Sequence, residues 1–131
     1  MKTELLLKFV FEATHSLADY EEPHPHIWKL KVGISGDAIG GRILDIVKLR
    51  ASAQSRVDRL VGTNLNENPI VYDSVREFPT CETLSVYFFR EFQNMLNQEF
   101  LASNPSVKLS VVEVAICDMA QFELGAIRLT S

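Results

Sequence analysis

The chain has 131 residues, 47% of them hydrophobic and 23% charged, with a net charge of −4; this composition suits one globular domain, and the missing basic stripe makes nucleic acid an unexpected partner. No apolar run reaches the length of a membrane span, so no membrane partner is expected. Met1-Lys2-Thr3-Glu4 lacks the order of an export signal, and Cys81 and Cys117 read as free thiols of a cytoplasmic protein.

Residues 5 to 15 alternate. Leu5, Leu7, Phe9, Phe11, Ala13 and His15 share one side, and Glu4, Lys8, Glu12 and Thr14 the other, interrupted only by Leu6 and Val10. That pattern predicts a first strand with His15 on its apolar face. His24, His26, Trp28, Leu30, Val32 and Ile34 repeat the parity against Lys29, Lys31 and Ser35. A second strand therefore turns two histidines inward. Joined by a short loop as an antiparallel pair, the strands bring all three imidazoles together. Three neutral imidazoles with a fourth position open suit a catalytic zinc ion, so His15, His24 and His26 are the expected metal ligands.

Gly36, Gly40 and Gly41 mark a turn, and Asp45 stands as a helix cap. Ile46, Leu49, Ala53, Val57 and Leu60 recur at helical spacing, predicting a helix over 46–61 that stops at Gly62. An Asn- and Pro-rich connection spans 63–79. Thr80 caps a second helix with Glu82 in its first turn, and Leu84, Phe88, Phe92, Met95 and Leu96 form an apolar stripe that reads as core. Ser103-Asn104-Pro105 breaks the chain before a strand carrying Val107, Leu109 and Val111, and a last strand begins near Gln121.

The order strand, strand, helix, helix, strand, strand predicts an α+β domain over 1–131. It would comprise a four-stranded antiparallel sheet with both helices on one face. Nothing is left to cover the other face, so subunit association into a closed homo-oligomer is expected.

Six signatures in order, Phe9-Val-Phe-Glu-Ala-Thr-His15-Ser-Leu17, His24-Pro-His26, Gly41-Arg-Ile-Leu-Asp45, Leu65-Asn66, Pro79-Thr80-Cys-Glu82 and a late strand with Glu113, resemble the 6-pyruvoyltetrahydropterin synthase and 6-carboxytetrahydropterin synthase family. The resemblance spans nearly the whole chain. It implies the tunnelling fold, with sheets joined into an oligomeric barrel as a homotrimer or homohexamer. Zinc on His15, His24 and His26 is implied, along with a small-molecule pterin as substrate. In the family, zinc polarises oxygens on the substrate's side chain, and a carboxylate deeper in the pocket holds the pterin. That role falls to Glu113, whose parity matches Val107, Leu109 and Val111. Thr80 and Glu82 are implied to frame the same pocket.

Two family features are missing. No cysteine stands in Ala18-Asp19-Tyr20-Glu21-Glu22-Pro23, where Tyr20 has the spacing at which one branch of the family places it, and Leu60-Val61-Gly62-Thr63 replaces the usual Asp-His dyad. Pro25 also replaces a glycine between the paired histidines. One branch of the family instead carries a glutamate three residues before the pair, a spacing that Glu21 meets, so Glu21 is the candidate general base. The resemblance thus implies a zinc-dependent lyase acting on a dihydroneopterin-like side chain. The alternative is an inactive or repurposed homologue that binds zinc and a pterin or purine-like heterocycle.

Overall fold

A computed structural model describes residues 3–19 and 21–131. Strands β1 (Glu4–His15) and β2 (His24–Ser35) precede helices α1 (Ile46–Asp58), α2 (Asp73–Glu77) and α3 (Cys81–Met95), and strands β3 (Lys108–Cys117) and β4 (Glu123–Thr130) follow. The four strands form one antiparallel sheet in the order β1-β2-β3-β4. The helices pack on one face, α1 over β1 and α3 over β3 and β4.

The inward parity of β1 and β2 explains that layering. Phe9, Phe11, Trp28 and Leu30 are buried against Phe88 and Phe92 of α3, with Phe9 and Phe92 stacked and Phe11 edge-on to Phe88. Each such side chain contributes about 1.5–3 kcal/mol on burial, so this seam dominates the core. The expected helical stripe is core throughout, with Leu84, Phe88, Phe92, Met95 and Leu96 all buried. Leu6 and Val10, which interrupt the alternation of β1, lie half exposed on the other face. No helix among the described residues is long and apolar enough to cross a membrane.

The helices differ from their expected bounds. Asp45 does cap α1, accepting from the Val47 and Lys48 amides. Helical bonding, however, ends at Asp58, and the chain leaves through turns that finish at Gly62 with φ +69°, a left-handed conformation that costs glycine little. Sequence periodicity misses α2 because five residues with one buried side chain, Val75, are too few to show a period. After Met95, α3 runs on as a π-helical turn over Leu96–Phe100.

The larger correction concerns β3. Gly33 pairs with Val111 whereas Ile34 pairs with Leu109, so Ser110 is an extra residue, a β-bulge that reverses the parity beyond it. Leu109, Val112 and Val114 face the helices, and Val111 and Glu113 face away. Glu4 reaches across Gly33 to the Ser110 hydroxyl, over the space where a Cβ at residue 33 would sit 2.6 Å from Val111 Cγ1. A glycine is required where the strands cross so closely.

Burial pushes the Cys81 thiol up to about 11, and it pushes the Tyr87 phenol, which has no hydrogen-bond partner among the described residues, up to about 12. Folding favours both neutral forms, so their contribution is intact below the ordinary values of 9.0 and 10.0 and is lost as pH rises through 11 to 12. The melting temperature is expected to stay level to about pH 9 and to fall between about pH 10 and 12. A level profile to pH 12 would refute this account.

Candidate metal centre

The site forms where β1 ends and β2 begins. In the β1–β2 register, His15 pairs with His24, Thr14 with Pro25 and Ala13 with His26. Opposed residues share a face, so all three rings meet on the helix-facing side. Pro25 does not disturb this pairing. The Thr14 amide and carbonyl bond instead to Thr63 O and Leu65 N, which makes Thr14–Pro25 a non-hydrogen-bonded pair on that side of β2. A residue without an N–H is tolerated there.

The imidazole centroids lie 4.8–4.9 Å apart, mutually edge-on. Trp28 forms the floor, its ring 5.3 Å from His15 and its indole N–H bonded to Ala13 O. One potential ligand atom from each histidine lies within 4.8 Å of the others.

Which nitrogen is free follows from the partners. His15 Nδ1 lies 2.7 Å from Pro79 O, His26 Nδ1 2.8 Å from Cys117 O, and His24 Nδ1 3.1 Å from Glu22 O. A carbonyl only accepts, so each Nδ1 donates, and the lone pair of each neutral ring resides on Nε2. Three Nε2 lone pairs offered by anchored rings form a donor set that fits a tetrahedral divalent ion with one position open to substrate. Burial holds the His15 pKa below the ordinary histidine range, against the opposing pull of its Pro79 hydrogen bond. Its neutral, ligating form therefore persists at pH 7.

Glu21 lies beside this cluster. One carboxylate oxygen accepts from the Leu17 amide at 2.9 Å and the other lies 3.5 Å from His24 Nδ1. The Leu17 bond is the largest cause holding its pKa below the usual carboxylate range, so it is ionised at neutral pH. Tyr20 lies outside the described residues.

Thr80 caps α3, its hydroxyl accepting from the Thr83 amide, and adjoins Pro79, whose carbonyl holds His15. Glu82 is exposed in the first turn of the same helix. Glu113 is not brought to the three histidines within the chain. The bulge at Ser110 turns it to the opposite face, where it pairs with Arg128 at 2.9 Å and opposes Lys31. Lys31 is five residues from His26 along β2, a separation of about 17 Å at strand rise. Glu113 therefore keeps the face of Val111 but not that of Leu109.

The connection over 63–79 gives the Leu65-Asn66 signature a role that the sequence did not reveal. Asn66 accepts from the Ser16 amide and donates to the carbonyls of Ser16 and Arg76. Val61 is half exposed, and Gly62 docks its amide on Glu12 O. The Val61–Leu65 stretch, where the sequence already lacks the dyad, therefore supplies backbone bonds to β1. Pro79 O and Cys117 O carry no sequence signal at all, because any residue has a carbonyl.

Residues 4–120 match the family described as 6-pyruvoyl tetrahydropterin synthase. The chain is 26% identical over 98 residues to dihydroneopterin monophosphate aldolase of Pyrococcus furiosus, covering 73% of this chain and 80% of that one. Among solved structures it resembles the 6-pyruvoyl tetrahydropterin synthase of Caenorhabditis elegans, with TM-score 0.72, 19% identity and coverage of 100% and 96% of the two chains. A Plasmodium vivax 6-pyruvoyltetrahydropterin synthase with a catalytic glutamate replaced by alanine gives TM-score 0.67, 16% identity and coverage of 100% and 99%.

Proposed function

The chain belongs to the 6-pyruvoyl tetrahydropterin synthase family, and from that premise we propose that it is a zinc-dependent lyase. Its substrate would be a dihydroneopterin or a phosphate ester of it, cleaved within the side chain. The observation carrying this reading is the trio of Nδ1-anchored imidazoles, with Glu21 as the carboxylate next to the cluster, on the Nδ1 side of His24. The similarity to an archaeal dihydroneopterin monophosphate aldolase supports carbon-carbon cleavage in particular.

Zinc held by His15, His24 and His26 would supply Lewis-acid polarisation of the substrate's side-chain hydroxyl oxygens. Glu21 takes the 2′-hydroxyl proton as general base. The electron pair left on the 2′-oxygen forms the C2′ carbonyl, the C1′–C2′ bond breaks, and its electron pair passes into the conjugated dihydropterin ring. Glu21, now protonated, returns the proton to C1′, giving a 6-hydroxymethyl dihydropterin and a two-carbon aldehyde. Thr80 and Glu82, next to Pro79, border the pocket and hold the heterocycle. Association into a trimer or hexamer would cover the outer face with its exposed Leu6 and Val10.

A second reading, binding of zinc and a heterocycle without turnover, is favoured by one observation: Val61 and Gly62 stand where the family's dyad does, with Gly62 serving as a backbone bond. The two readings separate when zinc-loaded protein is incubated with 7,8-dihydroneopterin, its monophosphate and its triphosphate, with products followed by chromatography. A 6-hydroxymethyl product from at least one substrate is expected. Saturable binding with no product would establish the second reading.

A further inference from the structure

Beyond the three imidazoles and Glu21, we propose that Asn66 is the positioning residue of the metal centre. This rests on the metal-site reading above. Its carboxamide takes both backbone polar groups of Ser16, the N–H at 2.8 Å and the carbonyl at 3.0 Å, and simultaneously donates to Arg76 O at 3.1 Å. Ser16 directly follows His15 and directly precedes Leu17, whose amide holds Glu21. One side chain therefore fixes the point from which both the buried ligand and the proposed base depart.

The Arg76 bond completes a closed frame. Arg76 lies in α2, three residues before Pro79, and Pro79 O holds the His15 ring at 2.7 Å. The 63–79 connection thus grips His15 twice, at its backbone through Asn66 and Ser16 and at its ring through Pro79. The frame is internally stiff. Asn64 Oδ1 accepts from the Asn66 amide, Asn68 donates to Arg59 O and Thr63 Oγ1, and the Arg76 guanidinium donates to Asn68 O. Flanking bonds from Thr14 to Thr63 and Leu65 seat it along β1. The segment that follows the missing dyad has a geometric task, the aiming of His15 Nε2.

Asn104 provides a matched control at the other end of the molecule. It is equally a clamp, donating to Asp37 O and Ile43 O and accepting from the Ser106 amide, yet it contacts nothing in the metal centre. The experiment titrates Co(II) into the full chain and its variants, reading affinity and the visible ligand-field bands, alongside thermal unfolding without metal. Asn66→Ala is expected to weaken Co(II) binding by about ten- to a hundredfold, the range for groups that orient metal ligands, and to alter the bands. Asn104→Ala is expected to lose thermal stability while leaving both metal readouts unchanged. Asn66→Asp keeps the acceptor for Ser16 N–H but loses both donated bonds, and is expected to fall between. Wild-type affinity and spectrum in Asn66→Ala would overturn the proposal; should that variant not fold, the same result in Asn66→Asp would do so. If the unaltered chain fails to bind Co(II), the metal-site reading falls and this proposal with it. Failure in the variants alone leaves that reading standing.

Discussion

Replacing His24 by alanine is expected to weaken zinc binding by roughly a hundred- to a thousandfold and to abolish any turnover with it. The magnitude follows from division of the binding free energy of structural zinc, about 10–16 kcal/mol, over four ligands, where every 1.4 kcal/mol is a factor of ten. His24 is the cleanest of the three positions to alter. It opens β2 and is only half-buried, so its truncation disturbs little else. His15 is buried, packs against Trp28 and satisfies Pro79 O; its loss would leave that carbonyl without its partner and mix a folding defect of about 1–3 kcal/mol with the metal defect. Metal per chain after chelator competition, measured with circular dichroism on the same samples, separates the two. Undiminished zinc in a folded His24→Ala protein would remove the histidine cluster as the metal centre.

Glu21→Gln is expected to lower kcat by about 10²- to 10⁴-fold, the usual contribution of a general base, while zinc content stays near that of the parent. Glutamine keeps the shape and retains an oxygen to accept from Leu17 N–H, so the loop keeps its main tie. It cannot take a proton. The 3.5 Å approach to His24 Nδ1 defines a competing role, in which the carboxylate serves only to orient that ring. An orienting group would show itself as a ten- to hundredfold loss of metal affinity, with the rate restored at saturating zinc. An unchanged kcat would assign the proton transfer to another group.

Much of this site is legible in one dimension because strand parity is local. His15, His24 and His26 could be put on the apolar face from the alternation of their neighbours, and the structure puts all three there with Ala13 and Trp28. The helix caps at Asp45 and Thr80 and the buried stripe from Leu84 to Leu96 are readable for the same reason, since each depends on residues within a turn or two.

What the pattern along one strand misplaced was decided at a distance. Glu113 shares the parity of Leu109 in the sequence, but pairing with β2 inserts a bulge at Ser110 and turns it to the other face. A bulge is a property of two strands, so one strand's pattern cannot reveal it. The choice of Nε2 as the free nitrogen depends on carbonyls 64 residues from His15 and 91 residues from His26. The grip of Asn66 on Ser16 closes across 50 residues. The sequence by itself determined which side chains face inward and what chemistry they carry, because side-chain direction along a strand repeats every two residues. Only the tertiary structure decided their tautomers, their aim and the face of Glu113, because those depend on backbone groups brought together by folding.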